Sequence, residues 1–199
     1  MKTFPITLKN IMLIPAEILL GVKPQANACG DCTLCCTMPC IEPDMTDGKI
    51  EPKAHGDTCK HCVLGKGCDR YDDRPSICSD YLCQWAIGLG GTMKPMRAKV
   101  CWCVQPDYTH GDAMGMLMGH CADHEEVLVI EHNRKLMRTY LGLPSFASVV
   151  LRSSTKLVRW DSVDGSKRMC DVDQSDPRDH RTTTLIDGVF SDGRWRAYV

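Results

Sequence analysis

Cysteines are concentrated near the start of this chain, where residues 29–40 read CGDCTLCCTMPC. Two residues between cysteines allow successive thiolates to turn toward one centre, while the backbone N–H groups between them point at the sulfurs. This spacing is typical of zinc and iron–sulfur sites. It occurs from Cys29 to Cys32, from Cys32 to Cys35 and from Cys59 to Cys62. The pattern therefore predicts thiolate ligation of a metal.

Disulfides are the competing explanation for so many thiols. Fourteen cysteines occur in 199 residues, and ten of them lie between Cys29 and Cys83. A chain of this length can bury a core large enough to fold without disulfides. The adjacent Cys35 and Cys36 would also rarely pair with each other, for geometric reasons. Metal ligation in a reducing compartment explains the spacing better, and a disulfide-framed exported protein is the weaker alternative.

Two common ligand patterns fit these cysteines only in part. A zinc ribbon built from the first and last C-x-x-C spacings would leave 26 residues between its knuckles, beyond the usual range of about 15–20. A bacterial ferredoxin motif fits the first three cysteines. Cys40 then comes one residue late, and Pro39 precedes it instead of following it.

A longer pattern covers residues 29–85. The C-x-x-C-x-x-C-C run at 29–36 is followed by CKHCVLGKGCDRYDDRPSICSDYLCQW at 59–85, which contains Gly-Cys, an aromatic residue, Arg-Pro and two further cysteines in that order. The combination resembles the YkgJ-like CxxCxxCC cysteine-cluster family, which is described as a zinc- or iron-chelating domain. The matching residues after the first run are Gly67, Cys68, Tyr71, Arg74, Pro75, Cys78 and Cys83.

The resemblance implies a set of metal ligands. Its members are Cys29, Cys32, Cys35, Cys36, Cys68, Cys78 and Cys83, with Cys62 at the family's remaining cysteine position, Cys59 as an additional local candidate and Cys40 as a weaker one. These cysteines outnumber the four ligands of one tetrahedral zinc, so two centres are arithmetically natural. Thiolates suit zinc and iron–sulfur clusters alike, and the adjacent thiols slightly favour a cluster.

Several residues near the cysteines have structural interpretations. Arg74 either pairs with a neighbouring acid, Asp72 or Asp73, or offsets the negative charge of a thiolate cluster. Tyr71 and Trp85 are expected to pack over the site and shield it from water. No local signature of a nucleophilic cysteine accompanies the thiols, so the sequence assigns no catalytic residue.

Histidines and later cysteines are weaker candidates. His61 follows Cys59 by two residues and is a minor ligand candidate in place of a cysteine. His120 and His124 have a spacing that predicts one face of a helix, which we interpret as a solvated helix end. Cys101 and Cys103 share a face of a presumed strand and are predicted to be packing residues.

Three regions must position these residues. Residues 1–28 form an N-terminal segment with a predicted short helix, residues 29–92 a small loop-rich cysteine-cluster metal-binding domain, and residues 93–199 an α+β region that is mainly antiparallel β. The cysteine-rich region has few continuous apolar runs, so ligation is expected to order its backbone. Within it, a helix is predicted from Tyr81 to Gly88.

Local patterns predict the elements of the C-terminal region. KVCWCV and EVLVIE are typical of strands, whereas GDAMGMLMGHC predicts a short Met-rich helix. Asp-Gly dipeptides at 164–165, 187–188 and 192–193 favour tight turns between antiparallel strands. The fold class predicted for the whole chain is α+β.

Composition limits the partners. A formal net charge of −1 gives no electrostatic footprint for nucleic acid, and no run reaches the ~18 apolar residues of a membrane span. The first hypothesis is therefore a cytoplasmic protein that binds zinc or an iron–sulfur cluster, with a redox or maturation role. The second is a structural zinc module that docks a protein partner.

Overall fold

The computed structural model of the chain describes residues 30–41, 48, 50–81, 83–88, 93–107, 109–110, 114–172, 180–186, 188–191 and 194–197. The helix predicted within residues 1–28 and the candidate ligand Cys29 lie outside these ranges. The division of the chain into three regions stays a prediction.

Short elements follow one another through the cysteine-rich segment. Helix α1 spans Leu34–Thr37, strands β1 and β2 span Cys62–Val63 and Gly67–Cys68, a 3-10 helix spans Tyr71–Asp73, and helix α2 spans Ser76–Asp80. The helix predicted from Tyr81 to Gly88 is wrong, because α2 ends at Asp80 and Tyr81 is extended. The N–H of Gln84 instead donates to the carbonyl of Trp102 at 2.8 Å, which ties this segment to a strand.

A six-stranded sheet organises the C-terminal part. Its order is β3 (Val100–Asp107), β4 (Met114–Cys121), β5 (Phe146–Arg152), β6 (Lys156–Asp161), β7 (Lys167–Val172) and β8 (His180–Ile186). Strands β4 and β5 are parallel, and the other neighbours are antiparallel. Strands β9 (Gly188–Ser191) and β10 (Arg194–Ala197) form a separate antiparallel hairpin. The prediction of an α+β fold with a mainly antiparallel C-terminal sheet is confirmed.

Helices connect the strands on one side of the sheet. Helix α3 (Pro95–Ala98) precedes β3, and helices α4 (His124–Leu128) and α5 (Glu131–Leu141) form the crossover between β4 and β5. Parallel neighbours require such a crossover because a tight hairpin cannot join them. None of the helices in the described ranges is both long enough and apolar enough to cross a membrane.

Two elements of this region differ from the prediction. The Met-rich segment predicted as a helix is strand β4. Within it, Gly119 allows Trp102 and Leu151 of the neighbouring strands to pack closely, since a Cβ there would stand 2.5 Å from the Trp102 ring and 2.7 Å from Leu151. The predicted strand EVLVIE is also wrong: Glu131 at its end begins helix α5, and its first three residues are the last three of helix α4. Asp123 begins this helix by accepting the N–H of Glu125 at 2.7 Å, which is typical of an N-cap.

The face of the sheet toward α4 and α5, here called the helix face, carries the main apolar core. Its buried residues are Val100, Trp102, Leu117, Cys121, Phe146, Val149, Leu151, Val158 and Trp160, and they pack with Ala98, Val127, Met137 and Tyr140. The rings of Tyr140 and Phe146 meet edge to face at 4.7 Å. Buried Asn133 donates to the carbonyls of Ala98 and Val127, which joins α3 and α4 to α5.

The opposite face, here called the thiol face, meets the cysteine-rich segment. Side chains alternate between faces along a strand, and residues that pair directly across strands share a face. The register pairs Cys101 with His120, Cys103 with Met118, Met118 with Val150, and His120 with Arg152. These six residues therefore form one patch of mixed chemistry on the thiol face.

Candidate metal centre

A cavity of about 660 Å³ lies between the cysteine-rich segment and the thiol face. The sheet contributes Gln105, Met118, His120 and Arg152 to its wall. The cysteines that line it are Cys32, Cys35, Cys36, Cys40, Cys59, Cys68 and Cys78. All seven have free thiols. Cysteines from both halves of the predicted ligand set therefore share one cavity.

Backbone hydrogen bonds hold the two cysteine motifs against each other. The N–H of Cys59 donates to the carbonyl of Cys36 at 2.9 Å, so the second motif starts beside the end of the first. Inside the motifs, Cys36 donates to the carbonyl of Thr33 and Cys62 to that of Cys59, both at 2.9 Å. The hydrogen bond between Cys59 and Cys36 thus joins the two motifs, although they are far apart in sequence.

The hairpin of β1 and β2 brings two further thiols to the same place. Cys62 and Cys68 are directly paired across the two strands. Gly67 has a φ of +106°, and a Cβ at this position would stand 3.0 Å from the carbonyl oxygen of Gly30. Because only glycine adopts this conformation at so close an approach, Gly67 allows the hairpin to pack against the start of the first motif.

The thiols of this group influence one another. Contact with Cys35 raises the pKa of Cys36 well above its usual value, and burial adds to the effect. Burial, with the neighbouring thiols of Cys36 and Cys59, raises the pKa of Cys62 and of Cys78 to about 11. The ligand of a metal is the thiolate, so metal binding here would release protons.

Positive charge surrounds these thiols. The cationic residues that line the cavity are Lys53, Lys66, Arg70, Arg74 and Arg152, whereas no Asp or Glu lines it among the described residues. Burial lowers the pKa of Lys53, and the thiols of Cys59 and Cys40 act in the opposite direction. The Nζ of Lys53 also donates to the carbonyl oxygens of Pro39 and Asp57. The cavity is thus suited to negative charge.

Arg74 and Tyr71 form part of the cavity wall together. The guanidinium carbon of Arg74 lies 3.9 Å from the centre of the Tyr71 ring, and its Nε donates to the Tyr71 carbonyl at 2.9 Å. Asp73 pairs with Arg70. The positive charge of Arg74 lowers the pKa of Cys78, although burial outweighs it. Arg74 therefore stands beside a thiol on the cavity wall.

His61 contacts Asp69 through one ring nitrogen. Its Nδ1 lies 3.1 Å from Oδ1 of Asp69. Its Nε2 is buried, has no hydrogen-bond partner, and belongs to a residue of the cavity wall. Histidine ligands commonly donate one ring N–H to a carboxylate while the other nitrogen binds the metal. In the Asp69–His61 pair, Nδ1 contacts the carboxylate and Nε2 is the nitrogen left for a metal.

His120 lies at the sheet end of the cavity and stacks on His55. The rings of His55 and His120 stack at 5.6 Å between centroids. Burial, together with His55, Arg152 and Lys53, lowers the pKa of His120 to about 3. The predicted solvated helix end is therefore wrong: His120 is a buried residue of β4, and His124 is a buried residue of α4.

Cys83 belongs to a separate buried group. Its Sγ lies 3.8 Å from Sγ of Cys101. Both residues pack against Trp85, and Cys35 packs against this group. The hydroxyl of Tyr81 donates to Sγ of Cys101 at 3.3 Å. Cys101 and Cys103 are buried, as residues with a packing role would be, but the sequence did not indicate that Cys101 contacts a candidate ligand.

The donor set fits a soft or borderline metal. Seven cysteines line the cavity, and the Nε2 of His61 is a buried nitrogen without a hydrogen-bond partner. No described carboxylate lines the cavity, which disfavours magnesium or calcium as the bound metal. Within the described ranges, no three His, Cys, Asp or Glu side chains already stand in ligating geometry. Cysteine side chains would therefore have to rotate toward a metal.

The chain was compared with protein-family models, with curated protein sequences and with solved structures, and none of the three comparisons found a match. The resemblance to the CxxCxxCC family stays a prediction based on the motifs themselves.

Proposed function

We propose that this protein binds a metal centre through the thiolates of its cysteine-rich segment, with an iron–sulfur cluster as the first candidate and zinc as the second. The proposed ligands are drawn from Cys32, Cys35, Cys36, Cys59, Cys62, Cys68, Cys78 and Cys83, together with Cys29, which lies outside the described residues. The observation that carries the proposal is the assembly of free thiols from two separated motifs around one cavity.

Cys36 interacts with several of the thiols in this assembly. It neighbours Cys35 and Cys62, and its charge affects the pKa of Cys68 and Cys78 as well. A cluster of thiols that raise one another's pKa is costly to ionise unless a cation shares the charge. A bound metal is such a cation.

The charge of the cavity wall supports the same proposal. A metal held by several thiolates carries net negative charge, because each thiolate contributes one unit. Five cationic side chains line the cavity, and no described carboxylate does. Lys53 and Arg74 are the strongest candidates for offsetting this charge, since each interacts electrostatically with thiols of the cavity. The wall would therefore offset the charge of a thiolate centre.

Two biological roles would use such a centre. An iron–sulfur cluster supplies electron transfer, or serves in the maturation of another protein. The alternative is a structural zinc module that docks a protein, and the β1–β2 hairpin gives it one supporting observation. At this hairpin, beside the cavity, Leu64 is 68% exposed and Val63 is 40% exposed.

The test is elemental analysis of protein purified anaerobically without a chelator or an affinity metal. We expect either iron with an equal amount of acid-labile sulfide and a brown colour, or zinc with no sulfide and no colour. The first result supports the redox or maturation role, and the second supports the structural module. Protein that contains neither metal, with its thiols oxidised, would rule out both.

A pair of variants ties the metal to this site. Cys36→Ser removes the central thiol and should lower the metal content strongly. Cys121→Ser is the control, because it makes the same change at a free cysteine that belongs to the core on the helix face and does not line the cavity. The proposal fails if the Cys36 variant keeps the full metal content of the wild type, or if both variants lose metal equally while remaining folded.

A further inference from the structure

We infer that the thiols are divided between two centres, and that Cys101 of strand β3 is a ligand of the second, together with Cys83, Cys32 and Cys35. The ligand that this second centre would take is a single borderline-soft divalent ion such as zinc. The inference rests on the proposed function and extends it, because Cys101 lies outside the motifs that suggested metal binding.

The contact between Cys83 and Cys101 is the first step of the argument. Their sulfurs are 3.8 Å apart. Two thiolates that bind one tetrahedral zinc, each at about 2.3 Å, are themselves about 3.8 Å apart. The pair thus has the separation that a shared ion requires. A disulfide would require the same sulfurs to approach to about 2.05 Å.

Two further thiols, Cys35 and Cys32, come from the first cysteine motif. Cys35 packs against the buried group of Cys83, Trp85 and Cys101. Cys32 is buried and lines the cavity together with Cys35. Cys32 and Cys35 form one C-x-x-C spacing, the arrangement that turns two thiolates toward a common centre. The four thiols together equal the ligand number of one zinc.

The remaining thiols form the first centre. Cys36, Cys59, Cys68 and Cys78 line the cavity, the N–H of Cys59 donates to the carbonyl of Cys36, and Cys62 pairs with Cys68 across the β1–β2 hairpin. Cys101 instead contacts Cys83 and Tyr81, and Cys35 packs against the same buried group. The two groups meet at the adjacent residues Cys35 and Cys36, whose side chains contact each other.

The environment of the second group suits a closed structural site. Cys101 is 1% exposed, and Cys83 and Trp85 are each 8% exposed. Tyr81 donates a hydrogen bond to the sulfur of Cys101, which is the kind of outer contact that tunes a thiolate ligand. Each thiol that binds the ion would lose its proton to solvent, and Cys32 and Cys35 would rotate toward the ion.

The first experiment compares metal content in three proteins purified in parallel. Wild type should contain metal at two centres. Cys101→Ser should lose one centre and keep the other, whereas Cys121→Ser, a buried cysteine of the adjacent strand on the helix face, should keep both. Cobalt(II) substitution gives a second readout, because the sulfur-to-cobalt absorption should fall in the Cys101 variant by the share of its centre.

The second experiment needs no variant and so does not depend on whether Cys101→Ser folds. Wild-type protein is loaded with ¹¹³Cd, and the couplings between cadmium and cysteine β-protons are recorded by NMR. A cadmium coupled to Cys83 and Cys101 supports the inference. Couplings that leave out Cys101, or a Cys83–Cys101 disulfide found by mass spectrometry of the purified protein, overturn it. Wild type that binds no metal at all overturns the proposed function as well, so the two failures are distinguishable.

Discussion

The two faces of the central sheet are built from the same strands but differ in chemistry. On the helix face, Leu117, Val149 and Leu151 are fully buried against apolar helices. On the thiol face, the residues one position away along the same strands are Met118, Val150 and Arg152, beside Cys101, Cys103 and His120. The helix face is a hydrophobic core, and the thiol face is the wall of a cavity.

The difference shows which face stabilises the fold without a bound ligand. Apolar burial stabilises the helix face directly. The thiol face contains buried histidines, an arginine and thiols, whose burial costs free energy unless they find partners. Substitutions on the helix face should therefore change stability and leave metal content alone, whereas substitutions around the cavity should mainly change metal binding or pH dependence.

The largest effect is expected for Leu151→Ala on the helix face. Leu151 is fully buried, and truncation of such a leucine typically costs about 2–5 kcal/mol of unfolding free energy. Chemical denaturation would measure the loss. Metal per folded chain should remain at the wild-type value, and a loss of metal from folded protein would contradict the separation of the two faces.

Gly119→Ala should follow, at about 1–3 kcal/mol, because overpacking strains a well-packed core. The new Cβ would meet Trp102 at 2.5 Å and Leu151 at 2.7 Å, so a neighbouring side chain must move. Gly142→Ala is the control, since its Cβ would meet only the carbonyl of Arg138 at 3.4 Å and that of Thr139 at 3.6 Å. Thermal unfolding of both variants should show a shift for the first alone.

Asp69→Asn tests the cavity side. If Asp69 orients His61 as a ligand, its loss should weaken metal binding by about 10–100-fold, as for other carboxylate partners of histidine ligands. Asp72→Asn, another exposed aspartate three residues later, should change nothing. Competition with a metallochromic chelator would measure the affinity. Equal affinities for the two variants would remove His61 from the ligand set.

Acid should destabilise the thiol face first. The folded pKa of His120 is lowered to about 3 and that of His55 to about 4, chiefly by burial. An unfolded histidine titrates near pH ~6.5, so below that pH the unfolded chain binds more protons and stability falls as pH falls toward the folded values. The slope is at most about 1.4 kcal/mol per pH unit for each histidine.

His120→Asn should reduce this slope between pH 6.5 and 4 in denaturation experiments at several pH values. His132→Asn, on helix α5, serves as the control and should keep the wild-type slope. An unchanged slope in the His120 variant would contradict the burial of a neutral histidine at the sheet end of the cavity.

The smallest effect is expected for Lys94→Ala. Lys94 pairs with Asp31 at 2.7 Å beside the first cysteine motif, but both side chains are largely exposed. Exposed ion pairs typically contribute about 0–1 kcal/mol. Neither stability nor metal content should change beyond that, as denaturation and elemental analysis would show. A large loss would mean that the surface around the cavity matters more than its wall.

Some of this organisation could be predicted from the sequence. The alternation in KVCWCV predicted strand β3 and placed Cys101 and Cys103 on one face, because strand periodicity is local. Helix or strand could not be decided locally for GDAMGMLMGHC, since the need for glycine at 119 arises from Trp102 and Leu151 on neighbouring strands. The same limit applies to Cys101, whose contact with Cys83 depends on which face meets the cysteine-rich segment.

The positions of the candidate ligands could also be predicted only where they depend on local sequence. Spacing alone brought Cys59 and Cys62 together, because one turn with a single backbone hydrogen bond connects them. The buried position of His120 depended on the sheet and could not be read from its spacing to His124. The orientation of His61 depended on Asp69, eight residues later, across the β1–β2 hairpin.

The hydrogen bond from Cys59 to the carbonyl of Cys36 has a consequence for the order of folding. The hydrogen bond from Cys59 to Cys36 and the pairing of Cys62 with Cys68 join residues that precede strand β3, so they can form early during synthesis. The pair of Cys83 and Cys101 requires strand β3 in place. Metal supplied during synthesis would therefore load the first group before the second, whereas metal added to the finished chain would meet both at once.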